Sequence, residues 1–235
     1  MWKGVFMETF LQASDFVGVT FWLVSVGMVA ATVFFFYEGL RVKSEWRTSL
    51  VIAGLITLIA AIHYYYMRDY WVHTGESPIV YRYIDWLLTV PLQMIEFYII
   101  LVAAGIAVSS NAFWRLLVGT LIMLIGGYMG ENQWISPLMG LIIGFAGWAI
   151  IIWEIFRGEA SQASMNNEIV KTCFNAMRIV VLVGWIIYPL GYISGTMMGA
   201  IDVNSLNIIY NLADFINKIL FGLFIWNAAV KASAK

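Results

Sequence analysis

The chain has 235 residues, of which 62% are hydrophobic and 11% charged, and its net charge is -1. Soluble domains typically carry about one quarter charged residues, so this composition and a mean hydropathy of +0.83 exclude an ordinary water-soluble domain. The charge balance gives no reason to expect a nucleic-acid partner, and a single cysteine, Cys173, excludes an intrachain disulfide. The length suits one domain of seven membrane spans joined by short loops.

Residues 1–15 form a separate N-terminal segment ahead of the first span. Lys3 and the apolar residues that follow weakly resemble the start of a signal peptide, but the apolar run is short and interrupted. Four of the apolar residues share a helical spacing: Trp2, Val5, Phe6 and Phe10. We therefore expect a small interfacial helix here, with a signal remnant as the alternative.

Seven stretches within residues 16–232 are long and apolar enough to cross a bilayer. A span needs about 20 mostly apolar residues. The predicted spans 1 to 7 are residues 16–37, 48–67, 79–103, 112–129, 134–156, 170–194 and 205–231. Charged or turn residues fill the breaks, for example at 68–77 and 131–133. The predicted fold is an all-α bundle of seven transmembrane helices.

The basic residues in the loops and at the ends of the apolar stretches predict the orientation of the bundle. If the spans alternate in direction, one side of the membrane collects eight of them: Arg41, Lys43, Arg47, Arg115, Arg157, Lys171, Lys231 and Lys235. The opposite side has Lys3 and Arg68. Positive loops stay in the cytoplasm, so we expect the N-terminus outside the cytoplasm, in the periplasm or the extracellular space, and the C-terminus inside.

Several ionisable residues fall where only apolar ones are expected. Five lie well inside spans 3 and 7, and a histidine lies near the outer end of span 2: Arg82, Asp85, Glu96, Asp214, Lys218 and His63. Such residues are costly at membrane depth and usually face the bundle interior, where they mark a proton or ion path. The alternative is an interhelical ion pair that only holds the bundle together, and matched spacing makes it the weaker reading.

The spacing of these residues predicts two acidic groups on either side of a buried amine. Asp214 lies one helical turn from Lys218 on the same face of span 7. Span 3 carries a stripe at intervals of four, four and three: Asp85, Thr89, Gln93 and Glu96. The eleven residues from Asp85 to Glu96 correspond to about 16 Å along the helix axis. Asp85 then lies in the outer half of the membrane and Glu96 in the inner half, with Lys218 near the middle.

The numbers of buried cations and anions predict different protonation states for the two acids of span 3. Lys218 and Arg82 balance Asp85 and Asp214, which leaves Glu96 without a cation in an apolar stretch. Burial then favours the neutral, protonated form of Glu96. A neutral acid on the inner side is what a proton donor requires.

A lysine at midmembrane depth is suited to binding an aldehyde, because burial favours its neutral, nucleophilic form. Aromatic residues at suitable spacing surround it in sequence terms. Trp86 follows Asp85, and span 6 carries a further group next to a helix-loosening proline: Trp185, Tyr188, Pro189 and Tyr192. An aromatic stripe alone is more often core packing, but beside the buried lysine it predicts a pocket for a flat polyene.

Two segments resemble the microbial rhodopsins, and among them the proteorhodopsin group. The sequence of residues 82–96 is similar to the third helix of that family, and residues 210–218 are similar to its retinal-attachment helix. The likeness extends from about Asp15 to Lys231. It implies that residues 16–232 form a retinal-binding domain in the bacterial inner membrane.

The resemblance also implies a role for each buried group. Lys218 would carry all-trans retinal as a protonated Schiff base, with Asp85 as primary counterion and proton acceptor and Asp214 as secondary counterion. Glu96 matches the cytoplasmic proton donor. The set formed by Asp85, Thr89 and Glu96 looks like the signature of proton pumps, whereas the related chloride pumps lack the acceptor aspartate and the sodium pumps carry an Asn-Asp-Gln set. A light-driven outward proton pump is the implied activity, and such a protein is a transporter rather than an enzyme.

Further implications concern assembly, colour and release. His63 matches the histidine that pairs with the acceptor aspartate, and Trp22 resembles its neighbour across a subunit contact, which implies a pentameric or hexameric ring in lipid. A core histidine with its hydrogen bonds satisfied inside the chain is the alternative for His63.

Gln93 occupies the position at which, in proteorhodopsins, glutamine accompanies blue absorption and leucine accompanies green absorption. The glutamate pair that releases protons early in bacteriorhodopsin has no counterpart near Met197 and Leu206, where Asp202 is the only loop carboxylate, so the release route stays open.

Two rival functions share part of these features. A sensory rhodopsin would use the same pigment, but sensors usually lack a donor carboxylate, so Glu96 argues against it. A slow-cycling regulatory photoreceptor stays open as the alternative. A retinal-free transporter would explain Asp214 and Lys218 as an ion pair but not the aromatic residues.

Overall fold

The computed structural model describes residues 11–234, and it contains seven helices long and apolar enough to span a membrane. Their bounds are Phe16–Gly39, Ser44–Thr74, Ile79–Ala103, Ser110–Glu131, Pro137–Ser164, Glu168–Met197 and Val203–Ser233. The described part contains no β-strand. The predicted all-α seven-helix fold is therefore confirmed. The interfacial helix predicted before residue 11 lies outside the described residues.

Span 2 is longer than the sequence predicted. It continues past residue 67 to Thr74, so Arg68 lies in a helix and not in a loop. The extension is tied to the start of span 1, because the indole of Trp71 donates to Asp15 Oδ1 at 3.1 Å. Gly75 ends the helix with a left-handed backbone (φ 67°), a conformation that costs glycine little. The polar residues beyond 67 are therefore the outer end of the helix.

Span 5 bends near the end where span 4 begins. An α-helix at Pro137–Phe156 is followed by a short helix at Glu159–Ser164. Between them the fully buried carboxylate of Glu154 accepts from Arg115 Nε at 2.5 Å and from the backbone N–H of Ala160 at 2.8 Å. Arg115 lies in the first turns of span 4, within the range predicted for that span. A buried carboxylate requires such a cation.

Span 6 is the least regular helix of the described chain. Two α-helical pieces, Glu168–Ile179 and Ile187–Gly191, are each followed by a π-helical piece, Val180–Gly184 and Tyr192–Met197. Proline removes a backbone donor, and Pro189 lies in the second α-helical piece, as the expected loosening requires. In the first π-helical piece, the carbonyl of Gly184 accepts from Asn217 Nδ2 of span 7 at 3.1 Å.

Consecutive spans pack against one another, and span 7 packs against spans 1, 2 and 6, which closes the bundle. Large apolar side chains such as Leu23, Val33 and Ile216 are more than half exposed on its outside, as lipid contact requires. We call the end with the loops at 75–78, 132–136 and 198–202 the outer end. The opposite end, with the loops at 40–43, 104–109 and 165–167, is the inner end.

Candidate functional site

The amine of Lys218 lies between two carboxylates at the centre of the bundle. Its Nζ donates to Asp85 Oδ2 of span 3 at 2.5 Å and to Asp214 Oδ2 at 3.0 Å. All three side chains are at least 97% buried. The structure therefore brings together the amine and the two outer carboxylates whose proximity the helical spacing predicted.

The two carboxylates differ in how many other donors they receive. Asp214 also accepts from the hydroxyls of Tyr64 at 2.8 Å and Tyr188 at 2.6 Å, and from the indole of Trp86 at 3.2 Å. Asp85 accepts from Lys218, and its Oδ1 has no hydrogen-bond partner among the described residues. Hydrogen bonds to a carboxylate stabilise its charged form. Asp214 is thus the better stabilised anion of the two.

Arg82 is held by neutral groups. Its Nη2 donates to Asn207 Oδ1 at 2.9 Å and to Asn211 Oδ1 at 3.1 Å, and its Nη1 donates to the Tyr64 hydroxyl at 3.4 Å. Arg82 thus belongs to the buried polar cluster around Lys218 without pairing directly with a carboxylate in the described structure. Arg82 reaches the Asp214 carboxylate through Tyr64.

The two asparagines were missed by sequence reasoning, although the sequence carries a signal for them. They continue the face of span 7 that holds the other two buried polar groups, at intervals of four, three and four: Asn207, Asn211, Asp214 and Lys218. All four are buried. A polar stripe of this length on one membrane helix indicates a hydrated or hydrogen-bonded path.

His63 does not form the expected hydrogen bond with Asp85 in the described part of the chain. Its Nδ1–H donates to the carbonyl of Ile59, one turn back on span 2, at 2.9 Å. A backbone acceptor satisfies the ring nitrogen locally. Trp22 lies on the outside of the bundle, 41% exposed, and its ring is 6.1 Å from that of Tyr65.

Glu96 has a different environment on the inner side of Lys218. Its carboxyl group is fully buried, and neither oxygen has a hydrogen-bond partner among residues 11–234. Phe97 and Ile100 beside it are also fully buried. Thr89, midway along the stripe, is buried and donates to the backbone carbonyl of Asp85 at 2.9 Å. The surroundings match the apolar setting expected for Glu96.

A cavity beside Lys218 is lined by the aromatic residues that the sequence pointed to. They come from spans 3 and 6: Trp86, Trp185, Tyr188, Pro189 and Tyr192. Tyr192 also ties span 6 to span 5, because its hydroxyl donates to the Pro137 carbonyl at 2.9 Å. Gln93 and Trp148 line the cavity too, and Gln93 Nε2 and Trp148 Nε1 have no partner in the described residues. An apolar slot with an amine in its wall fits a flat polyene aldehyde.

One lining residue was assigned to a loop at the sequence level. Glu131 ends span 4, and its half-buried side chain lines the same cavity as Lys218. The break predicted at 131–133 placed it in solvent. Its position becomes visible only when spans 3, 4, 5 and 6 are packed together.

Comparison with known proteins gives the family. The model for the family described as bacteriorhodopsin-like protein matches residues 15–232. The chain belongs to this family. It is 54% identical over 227 residues to the blue-light absorbing proteorhodopsin of Gamma-proteobacterium Hot 75m4, covering 95% of this chain and 90% of that protein. The green-light absorbing proteorhodopsin of Gamma-proteobacterium EBAC31A08 is 51% identical over 226 residues, with the same shares covered.

Solved structures of rhodopsins have the same fold as this chain. The crystal structure of blue light-absorbing proteorhodopsin from Med12 superposes with a TM-score of 0.81 at 47% identity, over 93% of this chain and all of the other. Exiguobacterium sibiricum rhodopsin gives 0.83 at 33% identity, over 93% and 97%. The predicted family and multi-pass bacterial membrane location are confirmed. Membership makes the chain a rhodopsin-type transporter rather than an enzyme, and it implies a retinal chromophore.

Proposed function

We propose that this protein is a light-driven pump that exports protons and uses all-trans retinal bound to Lys218. Kinship with proteorhodopsins supports light-driven proton pumping in general. The observation that carries the specific proposal is the position of Lys218 Nζ, 2.5 Å from Asp85 and 3.0 Å from Asp214. Asp85 gives the proton a place to go when it leaves the amine, and Asp214 keeps a compensating negative charge beside it.

The cavity supplies the fit for retinal. Trp86 and Trp185 are large apolar rings in its wall, and Lys218 is the amine that reaches it. Retinal bound to Lys218 would supply light absorption and a light-driven change of shape, and the Lys218 nitrogen would hold the proton beside Asp85 and Asp214. The aromatic walls would hold a polyene in one orientation and keep water from most of its length.

The proton passes first from the Lys218 nitrogen to Asp85. Asp214 already accepts hydrogen bonds from two tyrosines and a tryptophan, so its charge is retained. Asp85 has a free oxygen and Lys218 as its described partner. The transfer moves positive charge toward the outer end of the bundle.

Glu96 then returns a proton to the Lys218 nitrogen from the inner side. Its carboxyl is buried and without a described partner, a setting that favours the neutral acid from which a proton is donated. Glu96 is refilled from the inner solvent. With the inner end in the cytoplasm, as the basic residues predict, the cycle exports one proton, at a cost of about 2.3 kcal/mol against 100 mV.

The side chain of Gln93 supports blue absorption. It is 98% buried in the cavity wall, and its Nε2 is free to interact with a bound polyene. An amide dipole there stabilises the ground-state charge more than the redistributed charge of the excited state. The transition energy is therefore larger than with an apolar side chain.

A ring of five or six copies in lipid is part of the proposal. Trp22 lies on the outer face of span 1, and the guanidinium of Arg68 lies 5.4 Å from its ring centre. A neighbouring copy seated on this face would bring its own Trp22 toward His63.

The proposal is tested by expressing the protein in cells supplied with all-trans retinal and illuminating them in unbuffered medium. We expect the medium to acidify in the light, and the change to vanish when a protonophore is added. Alkalinisation would reverse the proposed direction. A coloured protein that leaves the pH of the medium unchanged would point instead to a photoreceptor.

A further inference from the structure

Glu131 is a carboxyl group of the retinal cavity that the mechanism above does not use. It lies at the outer end of span 4, and its side chain is half-buried. Among the described residues, the carboxyl groups lining this cavity are Asp214 and Glu131. Glu131 therefore stands between the central charges and the outer end of the bundle.

Hydroxyl groups surround Glu131 and extend toward Lys218. The carboxyl interacts with the hydroxyls of Tyr83 and Thr196. Tyr83 is buried, and its ring centre lies 5.1 Å from that of Trp86, whose indole donates to Asp214. Hydroxyls of this kind both donate and accept, which suits them to passing protons.

Arg82 couples the two ends of this path electrostatically. Its positive charge acts on both Asp214 and Glu131. Since neutral amides hold the guanidinium, no carboxylate cancels its charge by direct contact in the described chain. A guanidinium nearby stabilises the charged form of a carboxylate, which favours loss of a proton from Glu131.

Other acidic residues at the outer end fit this role less well. Asp69, Glu76 and Asp202 are exposed and line none of the cavity. Asp202 caps span 7, and hydrogen bonds from the Ser205 side chain and backbone hold the pKa of Asp202 below its usual range. A carboxylate fixed in this way is a poor proton carrier.

We propose that Glu131 is the proton-release residue of the outer half. This inference rests on the proposed export of protons and adds its exit step. The proton on Asp85 moves by way of the hydroxyls of the outer half to the Glu131 carboxylate. Asp85 then returns to its charged form. Glu131 next loses the proton to water at the outer end, so one proton leaves and both carboxylates are restored.

The test follows flash-induced proton release with a pH-indicator dye, together with the infrared carbonyl band of protonated carboxyl groups. In Glu131→Gln we expect release to slow by roughly tenfold or more, as loss of a proton relay predicts, and a transient carbonyl band to disappear. Transfer from Lys218 to Asp85 should keep its rate. Glu131→Asp should restore part of the release rate, and Glu76→Gln, at an exposed outer site, should change neither signal.

Release at the parent rate in Glu131→Gln, with the carbonyl bands unchanged, would overturn the inference. If that variant forms no pigment, Tyr83→Phe removes the neighbouring hydroxyl and keeps the ring. It should slow release severalfold, and an unchanged release rate would again contradict the relay. If the unmutated protein gave no flash-induced signal from the pH-indicator dye, the proposed export of protons would be overturned, and the release role of Glu131 with it.

Discussion

The two halves of the bundle on either side of Lys218 treat their acids in opposite ways. In the outer half, Asp214 accepts from Tyr64, Tyr188 and Trp86 as well as from Lys218. In the inner half, both oxygens of Glu96 lack a partner in the described part of the chain. The outer half is a hydrogen-bonded network of charges, whereas the inner half surrounds one acid, Glu96, with mainly apolar side chains.

This contrast explains how one amine exchanges protons in a fixed order. A satisfied network is rigid and holds its charges in place. A buried acid without partners costs free energy, and water that enters beside Glu96 would recover part of that cost. We infer that the outer half is ready for the first proton transfer, whereas the inner half conducts only after its packing loosens.

The largest effect is expected from removing the amine that both halves share. Lys218→Ala should abolish visible absorption in protein reconstituted with retinal, because no attachment point remains. Absorption spectra of the purified variant measure this. Lys231→Ala, an exposed lysine of the same helix, should keep its colour. A coloured Lys218→Ala protein would contradict the attachment of retinal to Lys218. The contrast between the outer and inner halves would then have no shared amine at its centre.

Neutralising the acceptor should stop export while keeping the pigment. Asp85→Asn removes the negative charge 2.5 Å from Lys218 Nζ, so we expect absorption at longer wavelength and export reduced by about 100-fold or more. Spectra and light-induced pH changes measure the two effects. Asp69→Asn, an exposed site, serves as the control. Undiminished export in Asp85→Asn would assign acceptance to another group.

The inner half is tested by Glu96→Gln. The amide occupies the same apolar space but cannot donate a carboxylic proton, so reprotonation should slow by about 100-fold. The first transfer to Asp85 should keep its rate. Flash photolysis resolves both steps, and Glu96→Asp should retain much of the reprotonation rate. A normal photocycle in Glu96→Gln would mean that Glu96 has only a packing role.

The smallest effect is expected at Gln93, in the cavity wall between the two halves. Gln93→Leu should move absorption to longer wavelength and leave export nearly unchanged, because the side chain tunes the pigment without carrying a proton. The absorption maximum and light-driven pH change measure this pair of outcomes. An unchanged spectrum would remove the amide dipole as the cause of blue absorption.

Much of the site could be predicted because charge in a membrane is rare. Lys218, Asp214, Asp85 and Glu96 stood out against apolar neighbours, and helical spacing placed them correctly relative to one another. Span ends were less predictable: span 2 runs to Thr74 because its polar outer turns pack on Asp15, a contact between distant parts of the chain.

Partners were the least predictable feature. Arg82 was expected to balance the buried carboxylates, but its hydrogen-bond partners Asn207 and Asn211 were not foreseen. His63 was expected beside Asp85 and bonds to its own helix in the described structure. Neutral amides carry no charge signal in a sequence, and a hydrogen bond depends on side-chain rotamers that spacing does not fix.

The sequence by itself determined that seven helices cross a membrane and that a lysine lies between acids at midmembrane depth. It did so because the cost of burying charge makes each such residue conspicuous. The tertiary structure alone decided which acid has the spare oxygen, which groups hold Arg82, and that Glu131 faces the cavity. These depend on how neighbouring helices are rotated against each other, and that rotation is set by packing across the whole bundle.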